Sequence, residues 1–375
     1  MIAGMRRHQR GPAQATVSGP LLRQIAATNR EHQDCRQAPI GLSLLVRTRH
    51  GACMFTPDES DHRAMDKSSD TFRVRAENES VSEDSRYSVR SRFYNPPPQF
   101  DGCFTTFYQL AFDCEDGSSI EDYLQPEWGN IRFFGHSAPR AQIGTSHADG
   151  ARFTATGPSS LPCEFRLSTT RMWGIGFLPL GWARFVDADA VDLTNSVCDG
   201  ASHPVFSKFD CLSDVLCDPE ISTEEQLAFL HETLERLMKP NRDESKIMRI
   251  HTAMVSGDHN VVGGLADQCG MSIRTLERMC HRYFGFTPKL LLRRQRFMRS
   301  LSSFMLQQGS RWTEAMDEEY HDQAQFTREF TQFMTMTPSK YASLDHPILS
   351  SFMEARARVW GSAAQTLDGP VRGAD

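Results

Sequence analysis

Residues 265–285 read LADQCGMSIRTLERMCHRYFG and decide how the C-terminal part of this chain folds. Leu265 and Ala266 fit the inner face of a short helix, and Gly270 supplies a tight turn where a residue without Cβ can take positive φ. Ser272 is a good N-cap for the next helix. Three apolar side chains of that helix are predicted to be buried: Leu276, Met279 and Cys280. Five others are predicted to face outward: Arg274, Glu277, Arg278, His281 and Arg282.

A helix, a turn with glycine and a second helix with a basic outer face predict a helix-turn-helix unit. After this unit Gly285 ends the helix, Thr287 caps the next one and Pro288 occupies its first position. The periodicity predicts that this connecting helix spans Lys289–Leu306.

The same order of signals then recurs. Trp312–Tyr320 and Gln323–Phe333 predict a second pair of helices, with Asp322 as the N-cap of the latter. Thr337-Pro338 closes this unit as Thr287-Pro288 closed the first. Three aromatic side chains are predicted to pack inward: Phe326, Phe330 and Phe333. The sequence therefore predicts two helix-turn-helix units, one after the other.

The local charge supports contact with a polyanion although the whole chain, with 375 residues, has a net charge of -6. Between residues 271 and 299 there is one acid, Glu277, and a phosphate backbone attracts an excess of cations of this kind. The basic residues of this stretch are Arg274, Arg278, Arg282, Lys289, Arg293, Arg294, Arg296 and Arg299. Arg293 and Arg294 are predicted to contact phosphate rather than to form only a solvated helix face.

Three motifs, LADQCGMSIRTLERM, RYFGFTPKLLLRRQRF and HDQAQFTREFTQFMTMTPSKY, resemble the DNA-binding domain of the AraC/XylS family of transcription regulators. The resemblance covers about a quarter of the chain. It implies seven helices in two helix-turn-helix units, whose recognition helices enter successive major grooves of DNA. The implied base-reading positions are Arg274, Glu277 and Arg278 in the first unit, and Gln323, Ala324, Gln325 and Arg328 in the second.

The chemistry of these side chains suits base reading. Arginine offers a planar fork to guanine, glutamine can pair with adenine, and Glu277 can accept from cytosine or orient a neighbouring arginine. Side chains that position the protein on phosphate without reading sequence are expected at Ser272, Thr275, Arg282, Lys289, Arg293 and Thr327.

The second unit departs from the family pattern. Glu319-Tyr320 replaces the usual Gly-Phe before the recognition helix, and Thr335 stands where glycine is common. Asp317, Glu318 and Glu319 form an acidic run that could repel phosphate. The second unit is expected to read bases, to contact only the DNA backbone, or to meet a protein partner.

The preceding part of the chain reads as an antiparallel β domain. Its predicted strands are Cys103–Phe112, Asn130–Phe134, Arg152–Thr156, Cys163–Leu167 and Met172–Leu178, with turn signals between them. Segments such as RFYNPPPQFDGCFTTFY and GIGFLPLGWARFV resemble the cupin-like sensing domain of an AraC-like subgroup. His136 and His147 are too far apart to indicate a metal site, so we expect no metal and no cofactor, with a small-molecule effector as ligand. Trp128 and Trp182 are expected in its core.

Two helices follow, Thr223–Met238 and Glu244–Val255. The first carries an apolar stripe with a period of 3 and 4: Leu227, Leu230, Leu234 and Leu237. This stripe is either a seam of a homodimer or a face that packs on its own domain.

The fold class is therefore α+β multidomain, with a cupin-like antiparallel β domain followed by an all-α domain. We expect a poorly ordered extension at 1–90, in which Met65 is an alternative start, a sensing domain at 91–240, a DNA-binding domain at 244–345 and a tail at 346–375. The ten cysteines form no C-x-x-C pair and are expected to be free thiols, mostly buried.

The leading hypothesis is a sequence-specific transcription regulator that is not an enzyme, with double-stranded DNA as partner. The resemblance implies an activator that contacts RNA polymerase. We expect a cytoplasmic protein without a membrane segment. The alternatives are an alkyltransferase with Cys163 as nucleophile, or an adaptor with impaired DNA binding.

Overall fold

The computed structural model describes residues 79–84, 86–115, 117–258, 260–307 and 311–370. The described residues all belong to the compact unit Asp61–Asp375. The predictions made for residues 1–78, including Met65, Cys35 and Cys53, lie outside the described part of the chain.

Two antiparallel sheets form the first half of the described chain. The strands are β1 (Glu79–Asp84), β2 (Tyr87–Tyr94), β3 (Phe104–Cys114), β4 (Ile120–Leu124), β5 (Asn130–Phe134), β6 (Arg140–Ile143), β7 (Ser146–Asp149), β8 (Phe153–Thr156), β9 (Cys163–Leu167), β10 (Thr170–Phe177) and β11 (Val197–Asp199). One sheet has the order β1-β2-β3-β10-β5-β8-β11, and the other has the order β4-β9-β6-β7.

The five strands predicted from the sequence are confirmed as β3, β5, β8, β9 and β10. Their residues are largely buried, and β5 and β8 are buried on both faces. Strands with few apolar residues escaped prediction. β6 and β7, for example, have four residues each, and exposed residues interrupt the buried ones along each strand. A stretch that short has too few apolar positions to show a period of two.

The helices are α1 (Pro179–Phe185), α2 (Ser213–Leu216), α3 (Thr223–Leu237), α4 (Glu244–Ser256), α5 (Val262–Gln268), α6 (Ile273–Met279), α7 (Pro288–Leu306), α8 (Trp312–Ala315), α9 (Gln323–Met334), α10 (Pro338–Ala342) and α11 (Leu349–Trp360). A π-helical turn, Cys280–Phe284, continues α6 as far as Gly285, which has a φ of +86°. The fold class predicted from the sequence, antiparallel β followed by helices, is confirmed.

Side-chain caps start the helices of the C-terminal part where the sequence predicts them. Ser272, Thr287, Asp322 and Thr337 each accept a hydrogen bond from the backbone N–H three residues later. Gly270 has a φ of +60°, as its place in the turn requires. These contacts fix the first turns of α6, α7, α9 and α10.

One helix is shorter than predicted. The sequence predicts a helix over Trp312–Tyr320, but α8 ends at Ala315 because Met316 has an extended backbone, with φ -67° and ψ 128°. The N–H of Asp317 donates to the hydroxyl of Ser300 at 2.9 Å instead of to a helix carbonyl. The segment from Met316 to Asp322 is therefore a connection held against α7.

The apolar stripe of α3 packs within the chain. Leu227, Leu230 and Leu234 are all buried in the main hydrophobic core, and only Leu237 is partly exposed. The same core continues from the strands through α4 to the first helix-turn-helix unit, where it includes Leu276 and Phe284. The interpretation of the stripe as packing on its own protein therefore accounts for three of its four leucines.

Thr335 ends α9 in the left-handed region, with a φ of +57°, at the position where the family commonly has glycine. A β-branched residue is strained there because its Cβ crowds the backbone. We expect Thr335→Gly to raise the free energy of unfolding by about 1 kcal/mol. Thr331→Gly, within the same helix, is the control and should lower it by about 0.3 kcal/mol. Urea denaturation measures both, and a destabilised Thr335→Gly variant would contradict the strain argument.

Candidate nucleic-acid interface

The outer face of α6 carries the predicted base-reading residues of the first unit. Arg274, Glu277 and Arg278 are exposed, and within the described part of the chain no ion pair engages either arginine. The inner face is held in place because Leu276 and Met279 are buried. The helix thus presents two free guanidinium groups from a fixed backbone.

Two of the predicted phosphate-contacting residues lie in the first turn of α6. The hydroxyl of Ser272 caps the helix by accepting from the N–H of Thr275 at 3.3 Å. The hydroxyls of Ser272 and Thr275 lie 3.0 Å apart. Ser272 is exposed and Thr275 is half-buried, so this pair also leaves polar atoms at the N-terminus of α6.

Most basic residues of the cluster seen in the sequence form ion pairs or hydrogen bonds with other residues of the chain. Arg293 and Arg296 both pair with Glu329, at 2.9 and 2.7 Å, and Arg293 also donates to the side chain of Gln332. Arg299 pairs with Asp317 and Glu319. Arg282 pairs with Asp189 at 3.2 Å. Lys289 is exposed and, among the described residues, lacks an ion pair, as do Arg274 and Arg278.

The prediction that Arg294 contacts phosphate is wrong. Its side chain is fully buried, and its guanidinium lies 4.0 Å from the ring centroid of Trp128 and donates to the carbonyl oxygen of Ser159 at 2.8 Å. Burial lowers its pKa to about 9, so the guanidinium remains charged at neutral pH. The helical period places Arg294 on the inner face of α7, where it joins this helix to the β sheets.

In the second unit, the outer face of α9 carries Gln323, Ala324 and Arg328, which are exposed. Gln325 is half-buried, and its side-chain oxygen accepts from the N–H of His321 at 3.2 Å. The hydroxyl of Thr327 donates to the carbonyl of Gln323. Within the described part of the chain, the face therefore offers one arginine and one glutamine whose polar ends make no internal contact, and a second glutamine whose oxygen is already engaged.

The acidic run before α9 is partly neutralised. Arg299 holds Asp317 at 2.5 Å and Glu319 at 3.4 Å, which leaves Glu318 exposed. Tyr320, which stands where the family has phenylalanine, turns inward and donates from its hydroxyl to Glu329 at 3.0 Å. Arg299 thus offsets one of the three carboxylate charges, which weakens the expected repulsion of phosphate but does not remove it.

Glu329 organises the second unit, and sequence reasoning missed it. Burial raises the pKa of its carboxyl, but the hydrogen bonds from Arg296 and Arg293 outweigh this and hold the pKa below its usual range. Its spacing from Phe326, Phe330 and Phe333 places it on the buried face of α9. That spacing was the signal that could have identified it.

A narrow cavity, here called the chamber, lies between the two sheets. Its free space is about 60 Å³ and its wall is mostly apolar, with residues such as Leu110, Phe134 and Phe165. At one side Arg132 pairs with Glu127 at 2.5 Å and donates to the hydroxyl of Tyr108 at 3.0 Å. Although burial lowers the pKa of Arg132, Glu127 raises it more, so this guanidinium is charged.

His251 lies on α4 at the junction of the sheets and the first unit, in edge contact with Trp128 and Phe284. Burial lowers its pKa to about 3. The unfolded chain takes up this proton near pH 6.5, whereas the folded chain does so only near pH 3.

Stability due to His251 is therefore fully present above pH 6.5 and is lost as the pH falls toward 3, by up to about 1.4 kcal/mol per pH unit. We expect His251→Met to flatten the pH dependence of the unfolding free energy between pH 7 and 5, measured by urea denaturation. His321→Met, at an exposed position, is the control. An unchanged slope in His251→Met would show that this histidine does not contribute.

The thiol of Cys163 does not have the setting of a nucleophile. It is buried, and burial raises its pKa to about 12, so almost none of it is thiolate at neutral pH. Cys103 and Cys280 are likewise buried free thiols with raised pKa values. The alkyltransferase alternative is therefore not favoured.

The described residues show neither a metal cluster nor a membrane-spanning helix. They contain no group of three His, Cys, Asp or Glu side chains placed to hold a metal ion. None of their helices combines the length and apolar character needed to span a bilayer.

Two capped helices with buried aromatic or aliphatic inner faces and exposed polar outer faces, each preceded by a short helix, define a helix-turn-helix DNA-binding protein. Residues 265–343 match the family model described as a helix-turn-helix domain. This part of the chain belongs to the AraC type of that domain, and the protein is a DNA-binding transcription regulator.

Solved structures of AraC-like proteins are similar over a longer stretch. ToxT from Vibrio cholerae is 9% identical, with 68% of this chain and 97% of ToxT covered and a TM-score of 0.36. ToxT bound to an unsaturated fatty acid is 10% identical, with 69% of this chain and 96% of ToxT covered and a TM-score of 0.31. The AraC-like activator CuxR is 15% identical, with 59% of this chain and 83% of CuxR covered and a TM-score of 0.27. No curated protein matches this chain.

Proposed function

We propose that the protein reads a specific DNA sequence by placing α6 and α9 in the major groove. The observation that carries this proposal is the pair Arg274 and Arg278, both exposed and unpaired among the described residues, on a helix whose backbone is fixed by its cap and its buried face. An arginine held this way keeps its fork free for the O6 and N7 atoms of guanine.

Glu277 lies between the two arginines on the same face and is the acceptor for cytosine or an orienting partner. In the second unit Gln323, Gln325 and Arg328 are the base-reading residues, with Gln325 the weakest of them because its oxygen already accepts from His321. Pairing of Asp317 and Glu319 with Arg299 offsets one of the three negative charges that would oppose this approach.

Phosphate contacts come from Ser272, Thr275, Lys289 and Thr327, which lie near the two recognition helices. Arg282 and Arg293 join them only if they exchange internal carboxylates for phosphate. Lys289 is the strongest of the six because it is exposed and lacks an ion pair within the described residues. Such contacts add affinity that falls with salt and carry no sequence information.

The chamber is the effector site in this proposal, and the protein is an activator that contacts RNA polymerase in the cytoplasm. Glu127 links the chamber to the DNA-binding part, because its side chain pairs with Arg132 while its carbonyl lies 3.4 Å from the guanidinium of Arg294. A ligand that changes the Glu127–Arg132 pair would shift the population of DNA-binding arrangements.

The test is selection of binding sites from random duplexes by the full chain, followed by gel shifts of the selected duplex against a scrambled duplex at several salt concentrations. The expected result is one enriched motif, with binding to it at least about a thousandfold tighter than to scrambled DNA. Equal affinity for both duplexes would refute sequence-specific reading. Absence of binding at low salt would support the adaptor alternative.

A further inference from the structure

The chain continues beyond the helix-turn-helix match, and this C-terminal extension, residues 345–370, folds back onto the sheets. Its entry is fixed by Asp122 of β4, which is 2% exposed. One oxygen of Asp122 accepts from the N–H groups of Ile348 and Leu349 at 2.9 and 2.8 Å. The other lies 3.2 Å from the ring of His346, whose second nitrogen lies 3.0 Å from the carbonyl oxygen of Tyr341.

The helix that follows, α11, contributes to the wall of the chamber. Ile348, Leu349 and Phe352 line it together with strand residues of both sheets. The ring of Phe352 lies 5.1 Å from that of Phe93 and 5.0 Å from that of Tyr108. The extension therefore inserts apolar side chains beside the Tyr108–Arg132–Glu127 group.

The end of the extension is anchored at the junction with the DNA-binding part. The amide of Gln365 exchanges hydrogen bonds with that of Asn130, at 3.0 and 3.3 Å, and Asn130 also donates to Glu127. Gln295 of α7 donates to the carbonyl of Thr366 at 2.7 Å. The extension thus touches the chamber, the Glu127 segment and the connecting helix α7.

The chamber is too small, as it stands, for a small organic ligand. Its free space of about 60 Å³ accommodates a water molecule or two. Pockets that bind small organic molecules have about 300–1,000 Å³. An apolar ligand can therefore enter only when some of the lining side chains move away. Ile348, Leu349 and Phe352 are lining residues that belong to the C-terminal extension and not to the strands of the two sheets.

We propose that the C-terminal extension is an internal plug of the chamber, and that a small apolar effector competes with Ile348, Leu349 and Phe352 for the same space. This rests on the proposed function of the chamber as the effector site. Displacement of the plug frees the contacts at Asp122, Asn130 and Gln295. Because Tyr341 and His346 connect the plug to α10, occupancy of the chamber changes the restraint on the second helix-turn-helix unit.

The first test titrates the full chain with N-phenyl-1-naphthylamine, an apolar dye whose fluorescence rises in apolar surroundings. Phe352→Ala should bind the dye at least about tenfold more tightly than the unmodified protein, since tenfold corresponds to about 1.4 kcal/mol of lost competition. Val359→Ala is the control, because Val359 lies on the same helix but does not line the chamber. Equal affinities of Phe352→Ala and the unmodified protein would overturn the proposal.

The second test needs no variant, so it decides the matter if Phe352→Ala fails to fold. Saturating dye should speed amide hydrogen exchange of residues 346–367 in the unmodified protein, whereas exchange in α3 should not change. Slower or unaltered exchange in 346–367 would overturn the plug. Arg278→Ala should respond to dye as the unmodified protein does. If the unmodified protein failed to bind DNA but still gave the expected dye response, the result would count against the proposed DNA reading and not against the plug.

Discussion

Arg278→Ala is expected to weaken binding of the full chain to its selected DNA site by about 1–3 kcal/mol, roughly fivefold to 150-fold. The side chain is exposed, and the described residues offer it no internal ion pair, so its removal costs contacts with DNA and little folding energy. The melting temperature should therefore stay unchanged. Gel shifts with the selected duplex measure the loss, and duplexes changed at single base pairs locate the position that Arg278 reads.

Arg236→Ala is the matched control, because Arg236 is exposed on α3, outside the helix-turn-helix match. It should leave affinity within about twofold, as expected for a distant surface charge. If both variants lose the same affinity, the effect comes from general charge and base reading by α6 is refuted. If Arg278→Ala loses affinity equally for all duplexes, Arg278 contacts phosphate instead.

Glu329→Ala is expected to lower the free energy of unfolding by about 3–5 kcal/mol. The change leaves Arg293 and Arg296 without their shared carboxylate, and the hydroxyl of Tyr320 without its acceptor. Arg296 is the costlier loss, because its side chain is 12% exposed compared with 30% for Arg293. Urea denaturation followed by far-ultraviolet circular dichroism measures the loss.

Glu318→Ala, at the exposed acid of the same unit, is the control and should change stability by less than about 0.5 kcal/mol. The carboxyl of Glu329 has a lowered pKa in the folded chain, so its stabilisation is present above the unfolded pKa and is lost as the pH falls through the folded value. A loss below about 1 kcal/mol for Glu329→Ala would mean that solvent already screens this group.

The first helix-turn-helix unit was predictable because its signals are local. Ser272 and Thr287 cap the helices that their positions predict, and Gly270 and Gly285 have positive φ. Capping and turn geometry depend on a few neighbouring residues, so the sequence contains all the information needed. The five strongest strands were predictable for the same reason, since burial shapes their composition.

The use of the basic residues was not predictable in the same way. Arg278 and Arg294 look alike in the sequence, yet one is free on the surface and the other is buried over Trp128, 166 positions earlier in the chain. Arg299 pairs with Asp317 and Glu319, two acids that the sequence analysis expected to repel the phosphates of DNA. Which cation remains available is decided by distant partners that a local pattern does not contain.

By itself the sequence determined the helix-turn-helix class, the caps and the inner faces of its helices, because short-range hydrogen bonding and periodic burial are properties of neighbouring residues. Tertiary structure alone decided that Glu329 gathers two arginines and that residues 345–370 return to fill the chamber. Both depend on segments far apart in the chain meeting in one core, where a charge must find a partner and apolar space must be filled.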